Sequence, residues 1–323
     1  MTADAVHLRR ARLAIYGPVV TAVLGVVLVA GGAIGFTHDQ LRDTASVRAA
    51  GVVGPAPTDP ALVAPLPPVA PGGAAPPTQG RFQLVAADGT VYPLGDLAHP
   101  LLPGGGPHST DPATRIVGAA PQSANGMWLA AADGHVYGSG TASLGRVPLG
   151  AHAARVVGIA AAANGHGYRV ATADGHVYAF GAPDRGGDTA PKGTAHVVGI
   201  AAAAHDGYWL AFSDGRVDAF GAPALGRVGL PAHSAPVVAI AGAIDGSGYW
   251  LTTADGHVYP FGVPFRGDLP SIRVQARVVG IAASAQAGYW LTTAGGQVYA
   301  FGSPTFAAIG GTPKATIVAI VPF

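Results

Sequence analysis

The sequence predicts an all-β protein: a six-bladed β-propeller closed by its last strand, with one transmembrane helix and a proline-rich linker ahead of it. Three observations lead there. A short apolar run followed by Asp-Gly recurs at Asp88, Asp133, Asp174, Asp214 and Asp255, and a sixth copy, Gly295-Gly296, has lost the Asp. The steps between copies are 45, 41, 40, 41 and 40 residues, a period that marks a repeat architecture. The composition is also wrong for helices, with 49 Gly, 28 Pro and no Glu, so turn formers abound and strong helix formers other than Ala are scarce.

Composition excludes several function classes. The net charge of +1 leaves no electrostatic footprint for nucleic acid. The absence of Cys removes disulfides, thiol catalysis and Cys-ligated metals. Charged residues make up 11% of the chain, against about 25% in ordinary soluble domains.

Residues 1–12 read as a cytoplasmic N-terminus. Leu13 to Phe36 follow, 24 residues without a charge, longer than the roughly 20 that cross a bilayer as a helix. Arg9, Arg10 and Arg12 abut this span, while Arg42 and Arg48 follow it, which places the N-terminus in the cytoplasm and the rest of the chain outside. The competing reading is a signal peptide cleaved after Ala30 or Ala33 and a secreted product, although signal cores usually run about 7–15 residues. Gly31 and Gly35 form a G-x-x-x-G pair that could pack two such helices into a weak dimer. Residues 37–79 are the linker. Its Gly51–Gln79 stretch holds nine prolines and one charge, Asp59, and reads as an extended spacer.

The repeat occupies 80–323. In one unit, Tyr249-Trp250-Leu251-Thr252-Thr253 is a strand rich in aromatic and β-branched residues. Asp255-Gly256 then reads as a two-residue hairpin turn with φ > 0 at both positions, and His257 to Gly262 as the return strand. Arg277 to Ala282 is a strand apolar on both faces, hence buried on both. Leu144-Gly145-Arg146-Val147 and Leu225-Gly226-Arg227-Val228 leave room for a short fourth strand. Antiparallel sheets of this size, buried on both faces, close by stacking radially; a parallel β-helix would have shorter turns and no antiparallel hairpins. Inner strands start near Arg115, Arg155, His196, Pro236, Arg277 and Thr316, and second strands near Phe82, Met127, Tyr168, Tyr208, Tyr249 and Tyr289. The repeat thus begins on a second strand and ends on an inner one, so Thr316–Ile320 should complete the first blade and remove an exposed edge.

The run Val197-Val198-Gly199-Ile200-Ala201-Ala202, then Tyr208-Trp209-Leu210, Asp214-Gly215 and Ala219-Phe220-Gly221, resembles two related propeller repeats. One is that of the regulator of chromosome condensation superfamily, with its inner Ile-Ala strand, Asp-Gly hairpin and aromatic-Gly end. The other, closer in detail, is the Gly-Tyr-Trp-Leu repeat of exported actinobacterial proteins. The resemblance covers 244 residues and implies a propeller with a protein-binding surface. The chain departs from the first type in having Tyr-Trp in place of its His-Ser, and Phe180-Gly181, Phe220-Gly221, Phe261-Gly262 and Phe301-Gly302 in place of its Trp-Gly. No nucleotide-exchange residue carries over, because the loops that would hold it show no match.

Few residues carry chemistry. His135, His176 and His257 share one position after the turn, yet equivalent positions on different blades lie too far apart for one metal ion, whose nitrogens must sit within about 2.1 Å. The turn Asp residues fit hairpin geometry, and the aromatics fit packing between blades, with sugar stacking open to any that are exposed. No G-x-S-x-G occurs, and H-E-x-x-H is impossible without Glu. Arg266-Gly267-Asp268 spells an adhesion tripeptide that chance readily supplies. The candidate ligand-binding residues are those that break the repeat. Arg169 and Gln83 stand where four blades place Trp, Asp218 replaces Tyr, and Ser139 belongs to a Gly-Ser in place of Ala-Phe. Arg169 and Ser139 fall in neighbouring blades and could open a polar groove. The expected function is that of a membrane-anchored binding module for protein or cell-wall polysaccharide at the envelope, without cofactor or metal. The alternatives are a glycan hydrolase or lyase using two Asp residues, and a structural subunit of a membrane assembly.

Overall fold

The computed structural model describes residues 81–95, 111, 113–122, 126–150, 154–163, 165–187, 190–306 and 309–322. The expected span Leu13–Phe36, its Gly31/Gly35 pair and the linker lie outside them. Among the described residues no helix is long and apolar enough to cross a membrane.

The repeat unit folds as a three-stranded antiparallel sheet, and there are six among the described residues. The first sheet joins β1 (Arg81–Ala86) and β2 (Val91–Gly95) to the final strand β18 (Ile317–Pro322) in the order β18-β1-β2. The others are β3 (Ile116–Gln122), β4 (Gly126–Ala131), β5 (Val136–Ser139); β6 (Val156–Ala161), β7 (Tyr168–Thr172), β8 (Val177–Phe180); β9 (Val197–Ala202), β10 (Tyr208–Phe212), β11 (Val217–Phe220); β12 (Val237–Gly242), β13 (Tyr249–Thr253), β14 (Val258–Phe261); and β15 (Val278–Ala283), β16 (Tyr289–Thr293), β17 (Val298–Phe301). The inner strands β3, β6, β9, β12, β15 and β18 are neighbours in that order, and β18 returns to β3, so the ring is closed. Closure is made by Phe82↔Pro322, Leu84↔Ile320 and Ala86↔Ile317, the offset that the ends of the repeat predict.

Two expectations about local structure need correction. No fourth strand forms among the described residues. The segments after β5, β11 and β14 instead dock on the hairpin turn: the Val147, Val228 and Leu269 N–H groups donate to the carbonyls of Gly134, Gly215 and Gly256 at 2.9, 3.1 and 3.2 Å. The Asp-Gly turn is also longer than two residues. The Gly89 N–H donates to the Ala86 carbonyl and the Ala86 N–H to the Thr90 carbonyl, a type I turn closed by a left-handed glycine. Only the glycine has positive φ, 82° to 98° across the six copies, and none of the turn aspartates does. The Asp belongs there because its carboxylate accepts the N–H two residues on, as in Asp88 to Thr90 at 2.9 Å and Asp214 to Arg216 at 3.0 Å.

A third feature escapes the sequence pattern. Each inner strand carries a β-bulge at the second valine, where Val117, Val157, Val198, Val238, Val279 and Val318 have no partner in the register. A bulge re-aims the side chain it carries. All six valines line one cavity on the axis. The run Val-Val-Gly-Ile is therefore apolar throughout because one valine enters the interior of the blade stack and the next enters the shaft.

The interfaces between blades are built from the Tyr-Trp pair. Trp128 meets Tyr168 with ring centres 5.0 Å apart, Trp209 meets Tyr249 at 5.0 Å and Trp250 meets Tyr289 at 5.3 Å. Each indole also donates to a carbonyl fourteen residues on, Trp209 to Pro223, Trp250 to Pro264 and Trp290 to Pro304, all at 2.9 Å. A buried indole keeps its packing only when its N–H is satisfied, and the carbonyl after the aromatic-Gly end supplies that acceptor.

Candidate functional sites at the two ends of the shaft

Strand direction defines two faces. Inner strands begin on the N face, where the Asp-Gly turns also lie, and end on the C face, where second strands begin. The repeat puts equivalent residues in rings on each face, so any specificity must come from the positions where the copies differ.

At the N face the shaft is a cavity of about 870 Å³. Its wall is the valine collar, and Arg115, Arg155, His196 and Arg277 line its opening, each the residue just ahead of an inner strand and each exposed. Pro236 and Thr316 occupy the remaining two equivalent positions. At the C face the cavity is about 450 Å³ and lined mostly by alanine, including Ala119, Ala160, Ala201, Ala241 and Ala282. Ile244 stands on its rim at 67% exposure, beside Asp245. Asp245 accepts from the Ser247 hydroxyl at 2.7 Å and backbone N–H at 3.0 Å, and these bonds hold its carboxyl below the usual range. Leu144 and Phe265 are exposed on the same side, on the loops that leave β5 and β14.

The four residues singled out in the sequence are placed apart, in four different blades. Arg169 is buried, its guanidinium donating to Pro183 O at 3.0 Å and Asp206 O at 2.8 Å and lying 5.3 Å from the Tyr208 ring centre. Burial lowers its pKa, and the nearby Asp206 carboxylate works against that fall. Ser139 is also buried, and the backbone of Thr141 fills the space over Gly138: a Cβ there would sit 1.9 Å from the Thr141 carbonyl. Arg169 and Ser139 therefore do not border an open groove. Gln83 is fully buried, and its amide has no partner among the described residues. Asp218 sits 3.5 Å from Arg216, whose guanidinium lies 3.6 Å from the Phe212 ring centre. In the equivalent places of other blades His135 stacks on Tyr137 and His257 leans on Tyr259, so blade four exchanges a His–Tyr contact for an Arg–Asp ion pair.

The remaining chemistry-bearing motifs are held in local contacts. Among the described residues no group of three or more His, Asp or Glu gathers as a metal cluster. His135 Nδ1 lies 2.7 Å from Asp133, and His257 Nδ1 3.2 Å from Asp268. Burial tends to raise the Asp133 carboxyl, but the hydrogen bonds and charge of His135 outweigh it and leave it lowered. The Arg266-Gly267-Asp268 tripeptide is bound into the fold: Arg266 donates to Ala287 O at 3.2 Å, Gly267 O accepts from Tyr289, and Asp268 accepts the Ser271 N–H at 3.0 Å.

Sequence reasoning missed the rings at the shaft openings. The signal was present in the residue ahead of each inner strand, but only the fold shows that those six positions face one opening.

The fold defines the class of protein as a propeller. No protein-family model matches the chain, and no curated protein matches it. Among solved structures it is similar to a chain of the nidogen/laminin complex, with 10% identity and a TM-score of 0.50 over 75% of this chain and 98% of that one. It also aligns with the extracellular domain of the hybrid two-component system BT3049 from B. thetaiotaomicron, with 14% identity and a TM-score of 0.40 over 63% of this chain and 30% of that one. At these identities the first likeness concerns the fold, and the second adds nothing to it.

Proposed function

We propose that the chain is a membrane-tethered, extracytoplasmic binding module that engages a protein partner through the C face of its propeller. One observation carries the reading. The C-face opening is an alanine-lined concavity of about 450 Å³ on rigid strand ends, with Ile244 two-thirds exposed on its rim and Asp245 beside it. An apolar concavity with a polar margin is the anatomy of a protein-binding surface. The resemblance to the Gly-Tyr-Trp-Leu repeats of exported proteins is compatible with it. The apolar span Leu13–Phe36 with its preceding arginines supports the tether and its orientation. Binding is favoured over glycan cleavage because, among the described residues, Asp245 is the one carboxylate lining the C-face opening, whereas glycoside hydrolysis needs a pair.

The test uses the full chain as bait against envelope extract, in parallel with Ile244→Asp. Retention of a protein by the natural chain and its loss with Ile244→Asp supports the reading. Equal retention by both overturns it. Topology is read separately, because the chain has no Cys: a single Ser143→Cys should react with a membrane-impermeant maleimide on intact cells. Labelling only after lysis overturns the orientation.

A further inference from the structure

The N-face opening differs from the C face in kind. Six equivalent positions ring it, one ahead of each inner strand, and they hold Thr316, Arg115, Arg155, His196, Pro236 and Arg277. None is acidic, and no acidic residue lines the cavity of about 870 Å³ beneath them. Among the described residues no hydrogen bond or ion pair engages the side chains of Arg115, Arg155 or Arg277. Arginines on the C face behave otherwise: Arg185 donates to His205 O and Arg266 to Ala287 O. His196 only approaches the Ser213 hydroxyl, at 3.4 Å.

The acidic groups on this face are held elsewhere. Asp88, Asp133 and Asp214 accept the backbone N–H two residues on, and Asp174 and Asp255 accept the hydroxyls of Thr172 and Thr253. Asp111, on the approach to β3, accepts the Ala113 N–H. Asp268 accepts the Ser271 N–H and faces His257. Asp255 borders a separate cavity, shared with Arg273 and Arg277. Three guanidiniums are thus left around one opening, with a floor of six valines that supplies no counter-charge. An opening lined by one sign of charge over low-dielectric walls concentrates the opposite sign, and the planar guanidinium fork matches carboxylate and phosphate oxygens.

We propose that the N-face opening of the shaft is a binding site for a multivalent oxyanion, held by Arg115, Arg155 and Arg277 with His196. The site is separate from the C-face concavity and goes beyond the protein-binding reading. The shared chemistry is a small ligand with two or more anionic oxygen groups. Phosphate and carboxylate sources are told apart by the probes.

The experiment is calorimetric titration of the full chain with tripolyphosphate and with citrate at low ionic strength. At least one should bind, and more weakly as salt is raised. Arg115 and Arg155 are exposed, so replacing them leaves the core untouched. The double variant Arg115→Ala/Arg155→Ala should weaken binding by about tenfold or more, the scale of a lost charged hydrogen bond. Arg227→Ala, which removes an exposed charge away from the ring, should leave binding within about twofold. Absence of binding by both probes, or equal losses in the ring and Arg227 variants, overturns the proposal. Since Ile244→Asp changes only the opposite face, loss of partner capture with oxyanion binding intact separates the two sites.

Discussion

The guanidinium of Arg169 lies 5.3 Å from the ring centre of Tyr208, and in the flanking blades the same place is taken by an indole, Trp128 at 5.0 Å from Tyr168 and Trp209 at 5.0 Å from Tyr249. Arg169 also donates to Pro183 O, fourteen residues on, as Trp209 does to Pro223 O. A planar cation thus reproduces both the stacking and the hydrogen bond of the tryptophan it replaces, and adds a bond to Asp206 O. Arg169→Trp is expected to keep stability within about 1 kcal/mol, since it exchanges one set of contacts for another of similar shape. Arg169→Ala should cost about 2–4 kcal/mol by leaving a cavity and two unpaired carbonyls. Chemical denaturation of the two variants decides it: similar midpoints would mean that the position tolerates any side chain.

The glycine ahead of each Tyr-Trp pair marks a close approach. A Cβ at Gly248 would sit 2.2 Å from the Phe261 carbonyl, and one at Gly288 2.3 Å from that of Gly302. Gly248→Ala should therefore cost about 1–3 kcal/mol or more, because backbone must move. At Gly229 nothing lies within 4 Å of an added Cβ, so Gly229→Ala should stay within about 0.5 kcal/mol. Equal thermal midpoints for the two variants would contradict the packing described.

Ring closure depends on β18. Deleting residues 316–323 removes the buried Ile317, Ile320 and Val321 and strips β1 of the partner that pairs with Phe82 to Ala86. The exposed edge should leave the shortened chain without a cooperative thermal transition. An unchanged transition would show that five complete blades suffice.

Alkaline pH supplies a further test. Burial pushes the phenols of Tyr249 and Tyr289 up to about 12, and each donates a hydrogen bond, to Gly226 O and Gly267 O. An acid whose folded pKa is raised stabilises the fold fully below its unfolded pKa, about 10 for tyrosine, and this contribution is lost as pH rises towards the folded value. Stability should therefore be flat up to about pH 10 and fall between pH 10 and 12. Phenolate absorbance rising well before unfolding, with no late component, would contradict the burial of these two rings.

The repeat period, the strand content and the joining of the two ends were legible in the sequence, because each depends on local patterning: aromatic and β-branched runs, turn glycines, and the phase of the first and last strands. The turn differs in detail from the expected two-residue hairpin. Both a two-residue hairpin and a type I turn closed by a left-handed residue call for Asp-Gly, and which one forms depends on how the flanking strands twist. The inner strand's sequence shows that it is apolar on both faces, but the bulge that turns Val157 and its five counterparts into the shaft has no local mark beyond a second β-branched residue.

The candidate site divided along the same line. Breaks in the repeat such as Arg169 and Ser139 stood out in sequence, yet packing encloses both. Arg115, Arg155, His196 and Arg277 stand one or two repeat periods apart with no local mark, and only radial closure makes them neighbours around one opening. By itself the sequence determined the unit and its number, since local preferences write those six times over. The tertiary structure alone decided which residues share a face, a shaft or a ring, because that depends on the angle at which each blade meets the next and on which side of the inner strand the bulge turns its valine.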